Sequence, residues 1–362
     1  MRRHVNIPVF VPHLGCPFNC IFCNQKKIAA PNGVVSPEEV SRIIDEHLAT
    51  VSDDAVVEVA FFGGSFTAIE QELQEAYLAR VAPYIEKGRV KSIRISTRPD
   101  FINHEILSFL KFWHVETIEL GVQSLYDEVL KASCRGYRVC DVFKACHLIK
   151  EYGFKLGIQL MIGLPEDTYE RSQGSACIAA QLKPDMVRIY PTLVISGTRL
   201  EKMLISGEYQ PLALEKAVAI SADMFLIFNY YDIEVIRMGL QPSEELRSEG
   251  VVRAGPFHPA FGELVEQEVF RRQGEKLLSE GLNLSYKGEV VFLVNPRDVS
   301  KMVGYKRENI DFYRKELGIK VKVKPCPLID PDDIGMSFDG ERIDKILSRT
   351  SFLQDVQRIC HS

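Results

Sequence analysis

The stretch VKSIRISTRPDFINHEILSFLKFWHVETIELGV (90–122) decides the architecture of this chain. It opens on a β-branched, near-continuous apolar run (90–97), passes through a helical stretch (Phe101–Phe112) and closes on a second such run (115–122). Strands that are apolar along their whole length are those covered on both faces, and alternation of strand and helix joins them in parallel. Working outward, similar runs occur at VNIPVFV (5–11), VVEVAFF (56–62), FKLGIQLMI (154–162) and MVRIYPTL (186–193). Helical stretches lie between them at Ile69–Ile85, Val139–Tyr152, Thr168–Gln181 and Leu212–Phe228, and Ser36-Pro37-Glu38-Glu39 carries a capping box with proline in the first turn. Six strands predict an α/β fold, a partial (β/α)6 TIM-like barrel over residues 1–240. A short extended segment, Ile233–Met238, a Gly/Pro-rich loop (239–262) and a helix (Glu263–Glu280, ended by Gly281) follow, so 241–284 reads as a lid and connecting region.

Composition narrows the function classes. With 46% hydrophobic and 26% charged residues among 362, the chain is neither disordered nor of low complexity. It has no apolar run suited to a signal peptide or a bilayer, which predicts a cytoplasmic protein with no membrane partner. A net charge of -5 argues against nucleic-acid binding over the whole surface and leaves room for a local basic face. Nine cysteines, three of them within residues 16–23, fit a reducing compartment where thiolates serve metals.

Those three, in Cys16-Pro17-Phe18-Asn19-Cys20-Ile21-Phe22-Cys23, occupy the loop after the first strand, at the barrel mouth where chemistry gathers. A structural zinc site or a simple ferredoxin cluster wants four protein ligands, so three leave one iron open to a ligand. A zinc site completed by His13 or a distant cysteine is the alternative. Cys134, Cys140 and Cys146, spaced by six, match no metal pair.

The three-cysteine loop resembles the radical S-adenosylmethionine (SAM) superfamily. Phe62-Gly63-Gly64-Ser65-Phe66 resembles its paired-glycine segment, with Ser65 where an acidic residue is usual. Ser96-Thr97-Arg98-Pro99-Asp100, Glu119 to Ser124, Arg135-Gly136 and Ile162-Gly163-Leu164-Pro165 recur in order at strand ends. Over about residues 8–200 this series is similar to the catalytic subunit of the tRNA-modifying Elongator complex and, more distantly, to oxygen-independent coproporphyrinogen oxidases. The resemblance implies a four-iron four-sulfur (4Fe-4S) cluster on Cys16, Cys20 and Cys23. On it, SAM is cleaved to a 5′-deoxyadenosyl radical by an electron from a donor such as flavodoxin or ferredoxin. It further implies SAM contacts from Phe22 (adenine), Gly63, Gly64 and Ser65 (methionine end), Gln123 and Arg135 (ribose and carboxylate), and Gln159 and Ile162 (adenine and ribose side). Gln159 stands where coproporphyrinogen oxidases have an acid. Ser96 and Arg98 complete the set, with ion pairing to Asp100 or Glu119 as the structural alternative for Arg98 and Arg135. His258, in Gly255-Pro256-Phe257-His258-Pro259, is a candidate acid or base where the loop can close the mouth.

Residues 285–362 read as a separate small α/β unit. The order is strand (Glu289–Val294), helix (Arg297–Val303), tight turn (Gly304–Arg307), helix (Glu308–Leu317) and strand (Ile319–Lys324). It resembles a KH domain, whose Gly-x-x-Gly loop grips a nucleic-acid backbone; here Gly304, Lys306 and Arg307 are the candidate RNA contacts, with arginine in place of the second glycine. Lys301, Arg314, Lys315, Lys320, Lys322 and Lys324 make the unit basic within an acidic chain. The expectation is radical chemistry on tRNA by a transferase, with a small-molecule or porphyrin substrate, or a non-catalytic iron-sulfur chaperone, as alternatives.

Overall fold

The computed structural model describes residues 4–11, 19–24, 35–240, 248, 250–282, 288–354 and 360. Cys16, His13, Pro17 and Phe18 lie outside them. The chain forms two compact units, one of residues 1–212 and 241–257 and the other of residues 213–240 and 258–362.

The first unit contributes six strands, β1 (His4–Phe10), β2 (Val56–Phe62), β3 (Ser92–Thr97), β4 (Val115–Gln123), β5 (Lys155–Ile162) and β6 (Met186–Pro191), which pair in sequence order. Every pairing from β1 to β6 is parallel, with helices returning the chain, so the expected partial barrel is what forms. Val57, Val59 and Phe61 on β2 pack under the helices with Ile93 and Ile95 on β3, Ile118 and Leu120 on β4 and Ile158 and Leu160 on β5, all nearly inaccessible. The opposite face carries charge. His4 meets Glu58 at 3.1 Å, Glu58 meets Arg94 at 2.8 Å, Arg94 meets Glu119 at 2.9 Å and Glu119 meets Arg188 at 2.6 Å. Burial pushes the Glu58 carboxyl up, but Arg94, Ser92 and His4 outweigh it and hold it below the usual carboxylate range. Gly157 makes room for this chain, since a Cβ there would lie 2.8 Å from Cγ of Glu119.

Local chemistry sets the helix ends. The first helix (Pro37–Leu48) has its proline in the first turn, and Glu39 reaches back to accept the Ser36 N–H at 2.8 Å. The expected helix over 101–112 starts later, at His104, because Pro99–Phe101 make a short 3-10 turn and Asn103 accepts the Ile106 N–H at 2.8 Å. The stretch 69–85 is two helices, Gln71–Ala79 and Ala82–Glu86; Pro83 cannot continue the first and begins the second. The region 239–262 is not all loop: Val252–Ala254 pairs antiparallel with Val194–Ile195, strands too short to show a period in sequence.

In the second unit, the helices Leu214–Tyr230 and Phe261–Gly281 and the strand Glu234–Met238 accompany a four-stranded sheet. Its order is Lys320–Pro325, Glu289–Val294, Ile334–Ser337 and Lys345–Leu347, the first pair parallel and the others antiparallel. The anticipated strand-helix-turn-helix-strand order is present, with helices Val299–Val303 and Glu308–Glu316. The last two strands and the helix Arg349–Leu353 are additions. Phe270, Phe292, Met302 and the fully buried Tyr313 fill the core, and Tyr313 donates its hydroxyl to the Arg271 carbonyl at 2.8 Å. No described helix is long and apolar enough to cross a membrane.

Candidate cofactor site

The site gathers where β2, β3, β4 and β5 end. The segment Asn19–Asn24, beyond β1, is fixed by three distant parts of the first unit. Ile21 N–H donates to the Ser133 carbonyl (3.3 Å), Leu200 N–H to the Ile21 carbonyl (2.8 Å), and the Asn24 amide to the Ser196 carbonyl (2.9 Å). Ile21 packs with Val194, Leu200 and Tyr209, with Phe22 and Cys134 against them. Cys20 and Cys23 share one turn, closed by Cys23 N–H to the Cys20 carbonyl at 3.0 Å.

Cys20 is buried, and two guanidiniums approach its sulfur: Nη1 of Arg135 at 3.1 Å and Nη1 of Arg98 at 4.0 Å. The two expected SAM contacts are therefore held together around a cysteine. Arg98 makes a two-pronged pair with Asp100, 2.9 Å on each prong, and its Nη2 also donates to the Arg135 carbonyl. Arg135 donates from Nη2 to the Gly121 carbonyl at 2.6 Å and from Nε to the Tyr137 hydroxyl at 3.0 Å. Tyr137 was not foreseen. Its ring lies 5.1 Å from each guanidinium, and its hydroxyl is 2.7 Å from the Gly121 carbonyl. Burial opposes the charge of Arg135, but Tyr137 and Cys20 outweigh it and raise its pKa above the ordinary arginine value. Its proximity to Tyr137 two positions away is visible in sequence; its proximity to Cys20, made by folding, is not.

Gly63, the residue after β2, stands at φ 98°, a conformation natural to glycine. Ser65 is buried; its Oγ lies 2.9 Å from Oγ1 of Thr97 and accepts the Arg98 N–H at 3.2 Å. Ser65 thus braces the segment that carries Arg98. Ser96 stands opposite Glu119 in the register of β3 and β4. Gln123, buried in the left-handed region at φ 69°, accepts at Oε1 from Nε2 of Gln159 across 3.3 Å. A Cβ on Gly121 would sit 2.9 Å from Nε2 of Gln123, so this glycine opens a cradle between Gln123 and Arg135. Ile162 is buried, and its carbonyl accepts from both N–H (3.0 Å) and hydroxyl (2.7 Å) of Thr192.

The donor set suits the expected groups: a buried thiol sharing a turn with a second thiol, and beside them a buried guanidinium that no described carboxylate neutralises. Among the described residues no trio of His, Cys, Asp or Glu assembles, Cys16 lying outside them. In the second unit, Nδ1 of His258 accepts the Ala260 N–H at 3.1 Å, and its ring stands edge-on to Tyr305 at 5.6 Å. The turn Gly304–Arg307 has Gly304, Lys306 and Arg307 all at positive φ.

A family profile described as the radical SAM superfamily matches residues 10–173, and one described as the radical SAM C-terminal domain matches residues 184–271. The chain is 33% identical over 184 residues to the tRNA uridine(34) acetyltransferase of Methanocaldococcus infernus, covering 45% of this chain and 34% of that protein. To human Elongator complex protein 3 it is 31% identical over 174 residues, 42% of this chain and 32% of the relative. The match thus spans about a third of the length of these relatives. The solved structure of Methanocaldococcus infernus Elp3 lacking residues 1–46 superimposes with a TM-score of 0.59 at 25% identity, over 78% of this chain and 64% of that one.

Proposed function

From the premise that this chain belongs to the radical SAM superfamily, we propose that it is an enzyme that cleaves SAM reductively at a 4Fe-4S cluster and thereby modifies tRNA. The observation that carries the proposal is the buried guanidinium of Arg135, beside a thiol and without a described carboxylate. Its described partners are a thiol, a phenol and a backbone carbonyl, and a buried guanidinium with no carboxylate beside it suits an anionic ligand.

In this reading Cys16, Cys20 and Cys23 hold the cluster, whose chemistry when bound is to pass one electron to SAM and split one of its carbon–sulfur bonds. Arg135 receives the SAM carboxylate, and Tyr137 keeps that guanidinium aimed. Gly63 and Gly64 let backbone approach the methionine end, while Ser65 braces Thr97 and Arg98. The paired amides of Gln123 and Gln159 address the ribose, Ile162 and Phe22 the adenine. Asp100 neutralises Arg98, so that Arg98 serves as a positioning residue beside Cys20, whereas Arg135 has no carboxylate partner among the described residues. Electrons come from a donor of the flavodoxin or ferredoxin type. The names of the relatives, tRNA uridine(34) acetyltransferases, support tRNA as the substrate, and Lys306 and Arg307 with Gly304 are proposed to meet its backbone.

The test is 5′-deoxyadenosine formed by anaerobically reconstituted, reduced protein, with and without bulk tRNA, against Cys20→Ala. Product above the variant and stimulated by tRNA is the expected result. Product indifferent to tRNA would move the substrate to small molecules, and none above the variant, with a cluster present, would end the catalytic reading.

A further inference from the structure

We propose that Tyr305 is a stacking platform for an unpaired base of single-stranded RNA, with Lys306 and Arg307 taking the flanking phosphates. The proposal deepens the RNA-acting function above and rests on it.

Charge leads to the place. Between Lys301 and Lys324 the chain has eight basic residues (Lys301, Lys306, Arg307, Arg314, Lys315, Lys320, Lys322, Lys324) and three acidic ones (Glu308, Asp311, Glu316), against -5 for the whole chain. Folding removes half of the eight from consideration. Lys301 is enclosed by Glu266 at 2.5 Å, Asp298 at 3.3 Å and Asp332 at 3.8 Å. Arg314 pairs with Asp311, Lys322 with Glu289, and Lys324 donates to the Gly340 carbonyl. Lys306, Arg307, Lys315 and Lys320 are exposed, and among the described residues none of them has an acidic partner. Two of these four are consecutive, and the residue before them is an aromatic.

Tyr305 is 43% exposed although its backbone is firmly anchored. Its N–H donates to Oε1 of Gln267 at 2.7 Å, and the His258 ring supports it edge-on. Gly304, at φ 80° and ψ 163°, occupies backbone space that only glycine enters comfortably, and a Cβ there would sit 2.9 Å from the Asn309 nitrogen. Asn309 is itself buried, its amide donating to the Gln267 carbonyl at 3.0 Å and the Lys301 carbonyl at 3.1 Å. The turn is thus braced, and it presents a ring with Nζ of Lys306 5.1 Å from its centroid. An exposed aromatic residue flanked by cations that have no described acidic partner is what unpaired nucleic acid requires, because each base offers a π-face and each phosphate a charge, and a base stacking on the ring would take the place that Nζ of Lys306 holds over it. A duplex offers its charges but keeps its base faces stacked. Ordering the site costs little, because the backbone is already fixed.

The test is fluorescence anisotropy of the full chain with a labelled oligouridine of about ten nucleotides and with an RNA duplex of equal charge. Wild type should prefer the single strand. Tyr305→Ala should weaken single-strand binding by about tenfold and leave the duplex unchanged, whereas Tyr305→Phe should stay within about twofold. Lys306→Glu/Arg307→Glu should weaken both and flatten the salt dependence by about 1.4 units of log–log slope for the strand and about 1.8 for the duplex, two phosphate contacts being lost. If Tyr305→Ala binds like wild type while the charge reversal abolishes binding, the platform is overturned and the RNA reading stands. Equal wild-type affinity for strand and duplex also overturns it. An absence of RNA binding by wild type sinks both.

Discussion

Asp167 carries an acid–base signature of its own in the loop after β5. Its Oδ2 accepts the Gly163 N–H at 2.8 Å and the Ser172 hydroxyl at 2.7 Å, while the Tyr209 hydroxyl donates to the Gly163 carbonyl at 2.6 Å. Burial pushes the Asp167 carboxyl up to about 6, against the pull of Ser172, the backbone N–H groups and Arg171. The folded pKa thus lies above the unfolded one, and between about pH 4 and 6 the native state binds the extra proton. Stability from this group is fully present below about pH 4, declines as pH rises to about 6 and is level above that. Asp167→Asn removes the dependence. Urea midpoints should show the variant more stable than wild type by on the order of 1–3 kcal/mol at pH 7.5, with the gap closing by pH 4. A gap that does not change with pH would show that another group titrates.

At the scale of a strand, the barrel's charged face is a chain in which each member neutralises its neighbour. Glu119 is its hinge, touching Arg94 at 2.9 Å and Arg188 at 2.6 Å. Glu119→Ala leaves the buried guanidinium of Arg94 and the part-buried one of Arg188 short of a partner and should cost about 3–5 kcal/mol in urea unfolding. Gly157→Ala drives a methyl group toward Cγ of Glu119 and should cost about 1–3 kcal/mol by overpacking. If the two changes add fully in the double variant, the glycine is not there to admit the glutamate; contacting residues should instead couple. Strand polarity also explains how the sequence could be read. Arg94 and Glu119 interrupt their apolar runs without breaking them, because the outward neighbours Ile93, Ile95, Ile118 and Leu120 carry the signal.

For the whole molecule, legibility follows contiguity. The strand-helix alternation and the cysteine spacing are properties of neighbours in sequence, and they led to the six parallel strands and to the Cys20–Cys23 turn. The strand-helix-turn-helix-strand order of the second unit was readable for the same reason. What escaped was made by folding. Nothing near Arg135 announces that its guanidinium meets Cys20, and nothing near Val252 announces that it pairs with Ile195. Helix starts missed by a few residues where a capping side chain, Asn103, competed with the apolar pattern. The basic residues of the second unit were legible as a count, but the ion pairs that withdraw Lys301, Arg314 and Lys322 required coordinates.

The anchoring of the cysteine segment has one more consequence, for the order in which the protein matures. Asn24 is tied to Ser196, 172 positions later, and Ile21 to Ser133 and Leu200. A loop of that span closes late, since its closure entropy must be met before its contacts form. During synthesis Cys20 and Cys23, which precede these partners in the chain, therefore wait until residue 200 has been made and the surrounding strands have paired. A metal offered to the chain during translation would therefore meet these thiols before residues 133, 196 and 200 are there to hold their segment.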